Sequence, residues 1–359
     1  MPFLQVDKAI ILRGNLLSRI EIYVDARLRQ SKYSMRAHRV DFRKLYHDII
    51  LVSYNLFKIM IPTLILVKIC QEFGVDIWLA DIMGPLMSLM NLPAELAIIL
   101  TTTMLTNPYA GLIVASSIPQ MTDLSVGQMS ILGLFMLFTH SLPIEVMISR
   151  RTGVRARVTL LVRIGGAFIW CTALALILNM SGWLDQPVVM AIPEVTVKDG
   201  FGYWLWGQFL SLVMIQIVII VLLVFLEILR LIKVEALIKW MLSPLLRMIG
   251  IGDRASTIAI VGVTLGLGFG GGLLIKDVET GTISKRDVFG VVCLINLLHS
   301  IFEDTAIVLL MGPSLFVVLG FRFLFAILFT FIIVKSLHRL PDELWHRYLT
   351  NYNIPRQAG

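Results

Sequence analysis

Residues 140–145 read HSLPIE and residues 299–304 read HSIFED. The two stretches lie 159 residues apart, each in an apolar run. At the same offset toward the C-terminus, Glu145 falls on Asp304, Gly153 on Gly312 and Arg163 on Arg322. Toward the N-terminus, Ser125 falls on Ser284, Gly111 on Gly270 and Pro85 on Pro244. No gap is needed between these positions. Ordered matches at one offset that include Pro, Gly, His and Arg identify a duplicated unit, and a duplication constrains the whole architecture before any single element is read.

The surroundings of the repeat decide its solvent. Of 359 residues, 57% are hydrophobic and 15% charged, with a mean hydropathy of +0.84. A soluble chain carries roughly 25% charged residues. Several apolar runs reach the roughly 20 residues that cross a bilayer. The net charge of +7 is ascribed to basic cytoplasmic loops, not to nucleic-acid binding. Cys70, Cys171 and Cys293 form no CxxC pair, so neither a disulfide framework nor a zinc knuckle is expected.

Crossings are expected near 49–70, 128–148, 159–180, 204–228, 288–310 and 314–335. Two further apolar stretches are interrupted. Asn107-Pro108 and Gly111 break 94–118, and Gly266, Gly268, Gly270, Gly271 and Gly272 break 255–275. Both are read as re-entrant hairpins, whose irregular backbone lines protein or a cavity. Loop charge supports this. A basic N-terminal segment is followed by connections without Lys or Arg, then by Arg150, Arg151, Arg155 and Arg157 in one loop. The segment from Ser181 to Trp204 has one Lys, and Arg230, Lys233, Lys239, Arg247 and Arg254 follow. This alternation satisfies the positive-inside rule with both termini in the cytoplasm, provided that 94–118 does not cross.

Met1 to Asp48 is broken up by arginines and is not expected to be a signal peptide. Ile10, Ile11, Leu16, Leu17, Ile20 and Val24 form a helical stripe opposite arginines, as in a helix lying on the cytoplasmic face. The chain then divides into a basic N-terminal segment (1–48), a first repeat (49–180), a non-cytoplasmic connection (181–203), a second repeat (204–335) and a cytoplasmic tail (336–359). The expected fold is an all-α integral membrane protein. Each repeat has about three spanning helices, a re-entrant helical hairpin and an amphipathic helix. Three crossings is an odd number, so the second repeat is expected to be inverted, as in many secondary transporters.

The stretches DIMGPLMSLMNLP (81–93), KWMLSPLLRMIGIG (239–252) and GLGFGGG (266–272), with their place before or within broken hairpins, resemble the gate-domain family, also called the nucleoside-recognition domain. That family includes concentrative nucleoside transporters, the membrane part of ferrous-iron transporters and spore maturation proteins A and B. Two gate units in one chain resemble a fusion of the latter two. The resemblance implies a helical membrane fold over roughly 49–335. No GTP-binding domain accompanies it, and no nucleoside specificity is implied.

Ionisable groups inside spans are costly and mark candidate sites. Here they are His140, Glu145, His299, Glu303, Asp304, Arg163 and Arg322. His299 and Glu303 are four apart and are expected to share a helix face. His140 and Glu145 are five apart, about 140° on an ideal helix, with Pro143 expected to kink the segment. Three uses are open. The carboxylates and histidines carry protons or a coupling cation while the arginines hold an anionic or zwitterionic solute. Alternatively His140, Glu145, His299 and Asp304 bind a divalent metal. In the third, Arg163 pairs with Glu145 and Arg322 with Asp304, and nothing is bound. Arg163 is close enough to the cytoplasmic loop to snorkel; Arg322 lies deeper. In the hairpins, Thr103 and Asn107 offer groups to a solute or satisfy their own interrupted helix, and Gly270 offers backbone.

No HExxH, GxSxG or P-loop pattern occurs, so no enzyme and no cofactor are expected. The expected function is alternating-access movement of a small polar or charged solute between inverted repeats. A divalent-metal transporter and a non-transporting scaffold are the alternatives. The expected partners are the lipid bilayer and a small solute or ion, with a homo-oligomer compatible and no nucleic acid. The expected location is the cell inner (cytoplasmic) membrane.

Overall fold

A computed structural model describes residues 42–118, 121, 123–191, 200–337 and 339–350. The expected surface helix around residues 10–24 lies outside them. Every extended element among the described residues is helical. In chain order these are α1 (Phe42–Glu72), α2 (Val75–Leu89), α3 (Ala97–Leu105, led by a 3-10 turn at Ala94–Leu96), α4 (Pro108–Ser116), α5 (Val126–Thr139), α6 (Leu142–Arg151) and α7 (Ala156–Ser181). The series then recurs as α8 (Phe201–Leu231), α9 (Val234–Ile249), α10 (Asp253–Leu265), α11 (Leu267–Glu279), α12 (Lys285–Leu297), α13 (Glu303–Leu309) and α14 (Phe316–Leu337), with α15 (Asp342–Tyr348) added.

The duplication read from side chains is present in the backbone. α2 and α9 begin at 75 and 234, α4 and α11 at 108 and 267, α5 and α12 at 126 and 285. Each pair differs by 159. The boundaries have like causes. Ser125 caps α5 by accepting from Gln128 N, with Gln128 bonding back in a capping box; its mate Ser284 caps α12 by accepting from Asp287 N.

Four of the described helices are long and apolar enough to cross a bilayer: α1, α7, α8 and α14. The two other expected spans are not continuous. The stretch 128–148 is split into α5 and α6, which bend by 41°, and 288–310 is split into α12 and α13. The cause is not Pro143, which sits in the first turn of α6, where proline is tolerated. Its mate in the second repeat is Phe302, yet that repeat breaks too. Common to both breaks is a serine in the left-handed region, Ser141 at φ 53° and Ser300 at φ 46°. This conformation costs a non-glycine residue about 1–2 kcal/mol.

The lipid-facing and central layers separate by burial. α1 and α8 expose rows of large apolar side chains, including Ile59, Leu66, Phe209 and Ile217. α5 and α12, apolar on all sides, are buried without interruption over 129–140 and 288–299. Both broken hairpins close tightly. Gly111 packs on the Thr103 hydroxyl, and Gly270 stands against the Gly262 backbone, where a Cβ would lie 2.5 Å from Cα. The spanning helices extend beyond the expected crossings: α1 includes residues before 49, α8 residues before 204, and α14 residues after 335.

Candidate functional site

The two helix breaks meet. Each break frees carbonyls at the C-terminus of a central helix, and in an apolar interior those must be satisfied. One arginine does this in each repeat. Arg163 donates from Nε to Phe138 O at 2.8 Å and from Nη2 to His140 O at 2.7 Å. Its mate Arg322 donates from Nε to Leu297 O at 3.0 Å and from Nη2 to His299 O at 2.9 Å. The acceptors are themselves repeat mates. Arg163 lies inside a π-helical turn, Leu161–Gly165, and Arg322 directly follows another, Phe316–Phe321. Such turns re-aim side chains and recur at functional sites. Both arginines are 0% exposed. Of the uses open to Arg163, snorkelling is not the one seen: the freed carbonyls of α5 hold it inside.

The arginines leave two imidazoles facing one another. His140 Nε2 lies 2.9 Å from His299 Nε2. Each Nδ1 points at a carbonyl of its own helix, His140 toward Met136 O at 3.3 Å and His299 toward Ile295 O at 2.7 Å. A carbonyl only accepts, so an Nδ1 that bonds to it carries a proton, and in that neutral tautomer the Nε2 presents a lone pair.

Two carboxylates complete the group. His140 Nε2 is 3.2 Å from Asp304 Oδ2, and His299 Nε2 is 3.0 Å from Glu145 Oε1. These cross-repeat contacts are shorter than those within a repeat, 3.5 Å for His140–Glu145 and 4.0 Å for His299–Asp304. The site belongs to the pair of repeats, not to either one. All four side chains are at least nine-tenths buried.

Of the expected site residues, His140, Glu145, His299, Asp304, Arg163 and Arg322 are brought together. Glu303 is not. The break at 298–302 removes the helical face it would have shared with His299, and it accepts instead from Tyr109 Oη at 3.5 Å. The expected pairs are half met. Arg163 Nη1 contacts Glu145 Oε2, whereas Arg322 is turned to carbonyls, including Leu137 O at 3.4 Å, and its Nη1 makes no hydrogen bond. Thr103 and Asn107 serve their own hairpin: the Thr103 hydroxyl donates to Ile99 O, and Asn107 caps α4 through Ala110 N. Gly270 is a packing position.

Sequence reading missed the residues that tie hairpin to break. Ser141 donates from N to Thr103 O at 3.1 Å and from Oγ to Thr106 O at 2.6 Å, while Ile301 N donates to Val263 O at 3.0 Å. It also missed Asn296, whose Nδ2 reaches Ser149 Oγ at 3.0 Å. The repeated His-Ser dipeptide was the available signal. A cavity of about 150 Å³ lies among α1, α4 and α8, and none of its lining residues belongs to the cluster.

No family model matches the chain, and no solved structure matches it. Among curated proteins, the uncharacterized membrane protein YvoD of Bacillus subtilis (strain 168) is 30% identical over 288 residues, covering 79% of this chain and 91% of that one. Together with the four apolar helices, this coverage places the protein in the membrane, and the chain belongs to the family of membrane proteins that includes YvoD.

Proposed function

We propose that the protein is a transporter of a small charged solute, working by alternating access at a site between two inverted repeats of the cytoplasmic membrane. The observation that carries the reading is the reciprocal pairing of His140 with Asp304 and of His299 with Glu145. Residue i of one repeat meets j of the other, and the mate of i meets the mate of j, as a local two-fold axis requires. An odd number of crossings per repeat, and basic loops that alternate along the chain, favour an axis in the membrane plane with both termini cytoplasmic. In that geometry the site lies near mid-membrane, where rocking of one repeat against the other opens it to either side. The order of helix, amphipathic helix, broken hairpin and two further segments in each repeat supports the likeness to gate-domain proteins. The arginines are occupied by backbone carbonyls and Glu145, so the acceptor cluster, not the guanidiniums, is the better solute site.

The full burial of Arg163 against Glu145 favours a second reading, a scaffold whose charges only satisfy one another. Uptake by proteoliposomes separates the two. Divalent metal ions, small organic anions and nucleosides are offered to wild-type protein and to His299→Ala and Asp304→Asn. Transport requires uptake of one class and its loss in both variants. Absence of uptake for every class by folded, reconstituted protein would leave the scaffold.

A further inference from the structure

We propose that His140 Nε2, His299 Nε2 and Glu145 Oε1, with Asp304 Oδ2 beside them, bind one divalent first-row transition-metal ion of the Zn(II) type, and that this ion is the cargo. The metal site stands on its own geometry; its role as cargo rests on the transport reading above.

The first argument is the disposition of donors. The four atoms are Lewis bases in the tautomer whose Nδ1 protons go to Met136 O and Ile295 O. In that tautomer two lone pairs face each other at 2.9 Å, flanked by carboxylate oxygens, an arrangement that a proton or a metal cation between them satisfies. An imidazole whose Nδ1 donates to a backbone carbonyl is held in the tautomer and orientation of a metal ligand.

The second argument is size. Zn(II) bonds to imidazole and carboxylate are about 2.0–2.2 Å, so the edge of a regular tetrahedron of ligands is about 3.4 Å. Five of the six edges among these atoms are 2.9, 3.0, 3.2, 3.5 and 4.0 Å. They bracket that edge, and the ligand atoms of His140, Glu145 and His299 all lie within 4.8 Å of one another, with Asp304 outside that group. Two nitrogen and two oxygen donors of this kind suit borderline divalent ions over Mg(II) or Ca(II), which prefer more numerous oxygens.

The third argument is an unmet need. Asp304 is nine-tenths buried, and its Oδ2 faces His140 Nε2 at 3.2 Å, which in the Nδ1–H tautomer does not donate to it. A buried carboxylate oxygen without a donor is costly, and a cation at the centre removes the cost. Glu145, by contrast, has its second oxygen held by Arg163, the outer support usual for a ligating carboxylate. The two arginines already balance the two carboxylates, so a bound dication is the excess charge. That weakens binding, which suits an ion that must be released after each crossing.

The test uses the full chain, purified in detergent and stripped with a chelator. Co(II), a spectroscopic stand-in for Zn(II), is titrated in, and Zn(II) is then added. The expected result is the visible absorption of a tetrahedral site at one equivalent of Co(II), abolished by one equivalent of Zn(II). His299→Ala and Asp304→Asn should weaken binding by at least about tenfold. His299→Gln serves where the alanine variant does not fold. Asp342→Asn, exposed on α15, should change nothing. Wild-type protein that elutes as one species and melts cooperatively, but binds no Co(II), overturns the proposal. So does binding that is undiminished in folded variants. Metal flux into proteoliposomes then separates the two readings. Binding without flux keeps the metal site and refutes transport, whereas uptake of an organic solute by protein that binds no metal refutes the metal and keeps transport.

Discussion

The first break, between α5 and α6, and the second, between α12 and α13, share a histidine before the break, a left-handed serine within it and a buried arginine bonded to the freed carbonyls. They differ in what that arginine does next. Arg163 also contacts Glu145, whereas Arg322 reaches a further carbonyl, Leu137 O, and Asp304 is turned to the opposite histidine. What is shared is what a broken helix in an apolar interior requires. What differs is the pairing of the carboxylates: Glu145 contacts the arginine of its own half, whereas Asp304 faces the histidine of the other. The second half is therefore the better candidate for the part that changes when the site is occupied.

The largest expected effect breaks the contact between Arg163 and Glu145. Arg163→Met leaves Glu145 buried without its countercharge and two carbonyls without donors, a loss of about 3–5 kcal/mol. Arg322→Met removes the carbonyl bonds alone and should cost less. Adding Glu145→Gln should recover part of the loss in Arg163→Met and nothing in Arg322→Met. Unfolding in detergent measures all four variants, and equal costs for the two arginines would erase the proposed asymmetry.

The hairpins give the next contrast. A Cβ at Gly270 meets the Gly262 backbone, which cannot rotate away, whereas one at Gly111 meets the Thr103 hydroxyl and the end of Met136. Gly270→Ala should destabilise by about 1–3 kcal/mol, and Gly111→Ala by less. Thr103→Ala should relieve Gly111→Ala. The same melts check the order.

A smaller term joins the repeats directly. His140→Ala and His299→Ala should be non-additive in a double-mutant cycle, with a coupling of about 0.5–3 kcal/mol. Additive costs would mean that the 2.9 Å approach carries no shared occupant.

The smallest effect is at the surface. Arg254 bonds Asp277 through Nε and Nη2, both at 2.9 Å, at the mouth of the second hairpin. The corresponding residues of the first repeat, Glu95 and Ile118, form no such pair. This bond holds the Asp277 carboxyl below the usual carboxylate range. A depressed folded-state value gives stability that is present above the unfolded value and lost as pH falls through the folded one. Wild type and Asp277→Asn should therefore differ slightly at neutral pH and converge in acid. A difference that grows on acidification would reverse the assignment.

The sequence made the duplication legible because Pro, Gly, His and Arg tolerate few substitutions where backbone is broken, so their order survived at one spacing. The clustering of His140, Glu145, His299 and Asp304 was legible for the same reason. The helix breaks were not. A left-handed serine has no propensity signal, and an apolar run on either side of it reads as one continuous span. Missing the breaks misplaced Glu303 on the face of His299, and it hid why the arginines are buried. Tyr109 and Asn296 were illegible because their mates are Gly268 and Leu137, so the repeat gave no hint of them.

The central claim is that the two halves enter the membrane in opposite senses. Cys70, Cys171 and Cys293 are replaced by serine, and single cysteines are placed at Asp81→Cys on α2 and Lys239→Cys on its mate α9, both exposed positions. Intact cells are then treated with a membrane-impermeant maleimide. Labelling of Asp81→Cys in intact cells, and of Lys239→Cys only after permeabilisation, is the expected result. Labelling of both from the same side would contradict the inverted repeat, and with it the mid-membrane site on which the account rests.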